Sequence, residues 1–243
     1  MNSRFWLLSL AFCLFALPAA LAESPAEVPF VLNGATLPLL YTSDFANDQA
    51  RWEPTDPKAW KVITENDRPV YSLFQQSKYT PPVRLPFNQS ILKDLWVSDF
   101  VIEVEAKSTG RQYAHRDICV FFGKQDETHL YYTHVSPSAV DGDPHAHSIF
   151  IVDATPRLSI ATERVKKTLW ENDTYYKIRV VRNSQTGEIE VFFHDMTTPI
   201  MKAKDTTFPV GRVGIGSFDD TGDFRSVKIW GKKAEPIQKN GSE

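Results

Sequence analysis

Five of the six histidines in this 243-residue chain fall between His115 and His147, and they share that stretch with Arg116, Tyr131, Tyr132, Asp141, Asp143 and Arg157. Imidazole works near neutral pH as a general base, a general acid or a metal ligand, so its concentration beside phenols and carboxylates marks a candidate site. Over His129–Val135, strand alternation sets Leu130, Tyr132 and His134 on one side and His129, Tyr131 and Thr133 on the other. Tyr132 and His134 can then divide a β-elimination or a hydrolysis, one group removing a proton and the other delivering one. The same pair also reads as two amphipathic residues at a strand surface.

The run Asp141-Gly142-Asp143-Pro144-His145-Ala146-His147 is a sharper motif. On a strand beginning at His145, His145 and His147 point to one side, as metal ligands on a β-sheet do, and Asp143 orients an imidazole or adds an oxygen. Sugar hydrogen bonding, acid–base work and plain loop structure are the other readings. His115, Arg116 and Arg157 stand at strand entrances, where they can reach a site on a rigid sheet. An arginine fork matches the carboxylate or sulfate of an acidic polysaccharide, and its bland alternative is a surface ion pair. Tyr131, with Trp52, Trp60 and Trp170, is available as an aromatic platform for sugar. The turn holding Asp219, Asp220 and Asp223 is dense in oxygen ligands and can take calcium, although acidic turns also form for conformational reasons.

The elements that must position these groups are strands. Apolar residues recur with period two in short aromatic and β-branched runs. Phe100–Lys107 alternates an apolar face with Glu103, Glu105 and Lys107, and further strands are expected at Asp117–Gly123, His129–Val135, His147–Asp153, Arg157–Thr162, Tyr175–Arg182, Glu188–Phe193, Gly211–Phe218 and Phe224–Trp230. Asn183, Ser184 and Gly187 make a hairpin turn. Pro54–Pro86 reads as irregular structure and short strands wrapping the sandwich. The spacing predicts one all-β sandwich over 23–231, without linker or repeat, and a frayed tail over 232–243.

Ahead of it, residues 1–22 combine Arg4, an apolar core from Phe5 to Leu17 and Ala20-Leu21-Ala22, the pattern of a cleavable secretory signal. The expected setting is therefore secreted or periplasmic, with no transmembrane anchor after cleavage. Cleavage leaves Cys119 alone, inside an apolar run that assigns it to packing. Lys and Arg number 27 against 30 Asp and Glu, for a net charge of -3, and no basic block argues for nucleic acid. The chain lacks a Gly-x-Ser-x-Gly elbow, a phosphate-cradling Gly/Lys loop, a His-Glu-x-x-His helix and a paired-Cys zinc pattern.

Phe45, Trp52 and Trp60-Lys61-Val62, the strand Asp99–Glu105, and the ending Gly211–Phe218 followed by Phe224–Trp230 resemble secreted bacterial proteins of the concanavalin A-like superfamily. Within it the chain is similar to laminin-G-like domains and to the 3-keto-disaccharide hydrolase, or 3-keto-glycoside lyase, type. The resemblance implies a jelly-roll sandwich of two curved antiparallel sheets whose concave face or rim handles an oligo- or polysaccharide. The Glu-x-Asp-x-x-Glu strand of jelly-roll glucanases has no match, since Glu103-Val104-Glu105 lacks a third carboxylate. Jelly-roll polysaccharide lyases use Tyr and His, which suits Tyr132 and His134. The expected function is thus glycosidic cleavage by His/Tyr acid–base chemistry, with a noncatalytic lectin-like module or an envelope protein-interaction domain as alternatives, and with a divalent metal as the one cofactor in view.

Overall fold

The computed structural model describes residues 29–137 and 147–237. The expected leader over 1–22, Asp141, Asp143 and His145, and the tail from 238 onward lie outside the described residues.

The strands, in chain order, are β1 (Phe30–Leu32), β2 (Ala35–Leu37), β3 (Leu39–Ser43), β4 (Trp52–Pro54), β5 (Trp60–Glu65), β6 (Arg68–Leu73) and β7 (Asn88–Ser108). There follow β8 (Ile118–Lys124), β9 (His129–Val135), β10 (Ser148–Asp153), β11 (Leu158–Ser159) and β12 (Ala161–Arg164). The last five are β13 (Tyr176–Arg182), β14 (Glu188–Phe193), β15 (Met201–Lys204), β16 (Gly211–Ser217) and β17 (Gly222–Lys233). The pairings among them are antiparallel throughout the described residues, as hairpin-rich sequences with alternating patterns dictate.

One strand belongs to both layers. The first part of β7 pairs with β4 and β16, and its second part pairs with β13 and β17. Between them the register with β16 shifts where Lys93 and Asp94 project into solvent, so the chain turns a corner without ending the strand. The first layer therefore runs β11-β10-β9-β8-β16-β7-β4, and the second is built on β7 with β13-β14-β15 to one side and β17, β6 and β5 to the other.

The main core fills the space between the layers, with Ile118, Val120, Phe122, Tyr131 and Ile149 facing Ile102, Val104, Ile178, Val180 and Ile229. Each such side chain contributes roughly 1.5–3 kcal/mol by leaving water. The first layer is also covered on its other face, where Tyr79, Val83 and Leu85 pack on Phe121, Leu130, Tyr132, Phe150 and Val152. Both faces of β8, β9 and β10 are thus buried, which is why their sequences read as nearly continuous apolar runs.

Several boundaries differ from expectation, and the strand expected over Phe100–Lys107 begins as far back as Asn88. Arg157–Thr162 is not one strand but β11 and β12, which pair with β10 and β15 respectively. The short strands expected within Pro54–Pro86 are β5 and β6, which form a hairpin because Asn66 and Asp67 accept the positive φ of its turn. The last strand runs to Lys233, and Lys232 bonds Asp99 at 2.7 Å, so these two lysines belong to the sheet and not to a tail.

Candidate functional site

The register of three adjacent strands lays Cys119, His134 and Ser148 in one cross-strand row and Phe121, Tyr132 and Phe150 in the next. Tyr132 and His134 therefore share the face of the first layer that points away from the main core. Arg157, in the turn after β10, reaches back over this face. Its Nη1 donates to the Tyr132 hydroxyl at 3.1 Å, and its guanidinium lies 4.2 Å from the Phe218 ring centroid and 4.8 Å from that of Phe150. A desolvated cation gains about 2 kcal/mol from such a ring, which holds the Arg157 head in place.

Asp117, just before β8, was not among the residues singled out from sequence, yet it stands at the centre. Its Oδ2 accepts from the Phe218 amide at 2.8 Å and from the Cys119 thiol at 3.0 Å, while Oδ1 stands 3.6 Å from His134 Nε2. The Asp117 amide donates to Asp220 Oδ2 at 3.0 Å, and the Tyr113 hydroxyl bonds the same carboxylate. Its sequence signal was a carboxylate abutting the apolar run Ile118–Phe122, where burial of a charge requires partners.

Charge in this buried cluster is finely balanced. Burial pushes the His134 pKa well below the usual imidazole value, and Arg157, His147 and His115 push it the same way, so His134 is neutral at pH 7. His147 falls to about 4, chiefly through burial, and its Nδ1 accepts from the Ser136 amide at 3.3 Å, which leaves the ring proton on Nε2. Burial raises Tyr132 well above the ordinary phenol, so it keeps its proton. Burial raises Asp117 as well, with the Asp220 charge adding to it.

The structure thus gathers Asp117, Tyr132 and Arg157 about His134, with His147 and the half-buried His115 near enough to act on its charge. It does not bring the other candidates there. Tyr131 points into the main core, stacked on Phe122 with ring centroids 5.3 Å apart, and its hydroxyl bonds Asp205, so it is no sugar platform. Arg116 is spent on the Trp170 carbonyl and on Asn172, fastening that loop to the entry of β8. Asp223 leaves Asp219 and Asp220 and faces Lys107 at 3.5 Å, because it sits inside β17 while they sit in the turn before it. Asp117 takes its place: ligand oxygens of Asp117, Asp219 and Asp220 lie within 4.8 Å of one another. An all-oxygen set of that size suits a hard cation such as calcium. Trp52 and Trp60 are core residues also.

Chemically, the cluster offers a neutral base, a protonated phenol and a fixed cation on one wall. Asp117 stands beside this base, and its own titration is tied to that of Asp220 through the charge between them.

No protein-family model matches the chain, and no curated protein matches it. Solved structures match in fold. The carbohydrate-binding module CBM66 from Bacillus subtilis superposes with a TM-score of 0.51 at 15% identity, over 74% of this chain and 95% of that one. Peanut lectin gives 0.53 at 11% identity, over 80% and 97%. The GH43 protein BlXynB from Bacillus licheniformis gives 0.55 at 10% identity, over 79% of this chain and 39% of its own. These likenesses agree with the strand order above in making the fold a concanavalin A-like jelly roll.

Proposed function

We propose that this chain is an exported saccharide-cleaving jelly roll in which His134 takes a proton, Tyr132 delivers one, and Arg157 holds the substrate beside them. The observation that carries the reading is the shared sheet face of His134 and Tyr132, with Asp117 behind the imidazole and Arg157 on the phenol. The neutral imidazole and the protonated phenol are the two forms that β-elimination or hydrolysis needs at the start of a cycle. The names of the carbohydrate-binding module and the lectin among its fold neighbours support a saccharide as the partner.

A lectin-like role is the second reading. It is favoured by burial, since Tyr132 is 0% and His134 4% exposed, and an acid–base group must come within hydrogen-bond reach of its substrate. A divalent cation on Asp117, Asp219 and Asp220 fits either role, relieving the repulsion between the buried carboxylates and bracing the turn before β17.

The purified chain, offered uronate-containing and neutral oligosaccharides, should generate new reducing ends or unsaturated uronates. Tyr132→Phe and His134→Gln should each lower turnover at least a hundredfold while glycan binding persists. Binding without turnover in the native protein would leave the lectin-like role standing, and neither binding nor turnover would overturn both.

A further inference from the structure

A cavity of about 440 Å3 opens on the same layer where β8 ends; Lys124, Arg212, Gln89 and Ile91 contribute to its walls, with the carboxylates Glu53, Asp126 and Glu127 around them. Lys124 lies five residues along β8 from Cys119, roughly 17 Å at strand rise. Tyr79, Val83 and Leu85 pack over the sheet between the two places, so this cavity is separate from the His134 cluster.

Its most unusual feature is a pair of like charges. Arg212 on β16 is the direct cross-strand partner of Lys124 on β8, and both side chains face the cavity. Two cations opposite one another on neighbouring strands destabilise a sheet unless an anion lies between them. The register shift in β16 after Arg212 and the positive φ of Gly123 create this pairing, and a side chain at Gly123 would strike the Tyr131 ring.

Glu53 answers Arg212 alone, and no carboxylate is bonded to Lys124 among the described residues. Lys124 is 7% exposed and, among the described residues, makes neither ion pair nor hydrogen bond. Desolvation, then Arg212, pulls its pKa down to about 8, against the opposing pull of Asp126, Glu127 and Glu53. Glu53 is bound to Arg212 Nη1 at 3.2 Å, Asp126 to His129 Nδ1 at 2.7 Å, and Glu127 is at the exposed rim. Arg212 Nε and Gln89 Oε1 are buried in the same wall with no partner among the described residues. Buried polar atoms left open cost about 1–3 kcal/mol each. Two donors, one acceptor and the apolar surface of Ile91 and Tyr79 match a pyranose that carries an anionic group.

We infer that this cavity is a subsite for an acidic sugar unit, whose carboxylate or sulfate sits between Lys124 and Arg212 while a hydroxyl donates to Gln89 Oε1. The inference rests on the proposed saccharide reading and narrows it to acidic glycans.

Calorimetric titration of the full chain with glucuronate, glucose 6-sulfate and glucose tests it. Both acidic sugars should bind at least tenfold more tightly than glucose, and the two together tell whether carboxylate or sulfate is preferred. Lys124→Met should erase that preference while Lys124→Arg keeps it, each variant being checked for a native near-ultraviolet spectrum. Glucose binding as tightly as the acidic sugars, or a folded Lys124→Met protein that still prefers them, would overturn the subsite and spare the saccharide reading. Failure of every mono- and oligosaccharide to bind would overturn both.

Discussion

His134 Nε2 stands 3.6 Å from Asp117 Oδ1, and both side chains are withdrawn from water. At that separation the pair is not a formed hydrogen bond, and His134 Nδ1 and Asp117 Oδ1 each lack a hydrogen-bond partner among the described residues. Burial, with Arg157 nearby, keeps the imidazole neutral and ready to receive a proton, and burial puts a cost on the charged carboxylate that can be measured.

Because burial and Asp220 raise the Asp117 pKa, the folded chain holds a proton on this carboxyl that the unfolded chain has released once pH passes its ordinary 3.8. Stability from this group must therefore fall as pH rises from 3.8 toward the folded value. Asp117→Asn, which removes the charge and keeps an acceptor for the Phe218 amide, should flatten that slope and raise Tm at pH 7 in EDTA. Each kcal/mol gained is worth about 2–4 °C in a domain of this size. Melting curves from pH 4 to 8 check it, and a variant that parallels the native profile would contradict it.

His147 has the opposite sign. Its pKa drops from 6.5 to about 4 on folding, so the unfolded chain takes up a proton first as pH falls below 6.5. The resulting loss is on the order of 3 kcal/mol by pH 4. Urea denaturation of His147→Gln should show a weaker dependence on pH between 6.5 and 4 than the native chain does.

Arg157 joins β10 to Phe218 and Tyr132 through two ring faces and one hydrogen bond. Arg157→Met should cost about 3 kcal/mol of unfolding free energy. Arg157→Lys should recover little of it, since an ammonium cannot lie flat between two rings and reach the phenol at once. Full rescue by lysine in a urea titration would show that charge alone matters there.

Tyr131→Phe is expected to cost about 1–3 kcal/mol, because Asp205 and the Phe208 amide lose their shared hydroxyl while the ring stays packed. Glycan binding should not change. A binding defect without a stability defect would return Tyr131 to the candidate site.

Strand alternation, a local property of period two, was enough to put Tyr132 and His134 on one face and Tyr131 on the other, and to make the chain all-β. It could not say which face of β9 lies in the main core, because both faces are covered and both are apolar. Nor could it find Asp117 beside His134, Arg116 on the Trp170 carbonyl, or Lys124 opposite Arg212. Those meetings depend on inter-strand register and on turns distant in the chain, which the pairing of β8 with β9 and β16 decides and neighbouring residues do not encode.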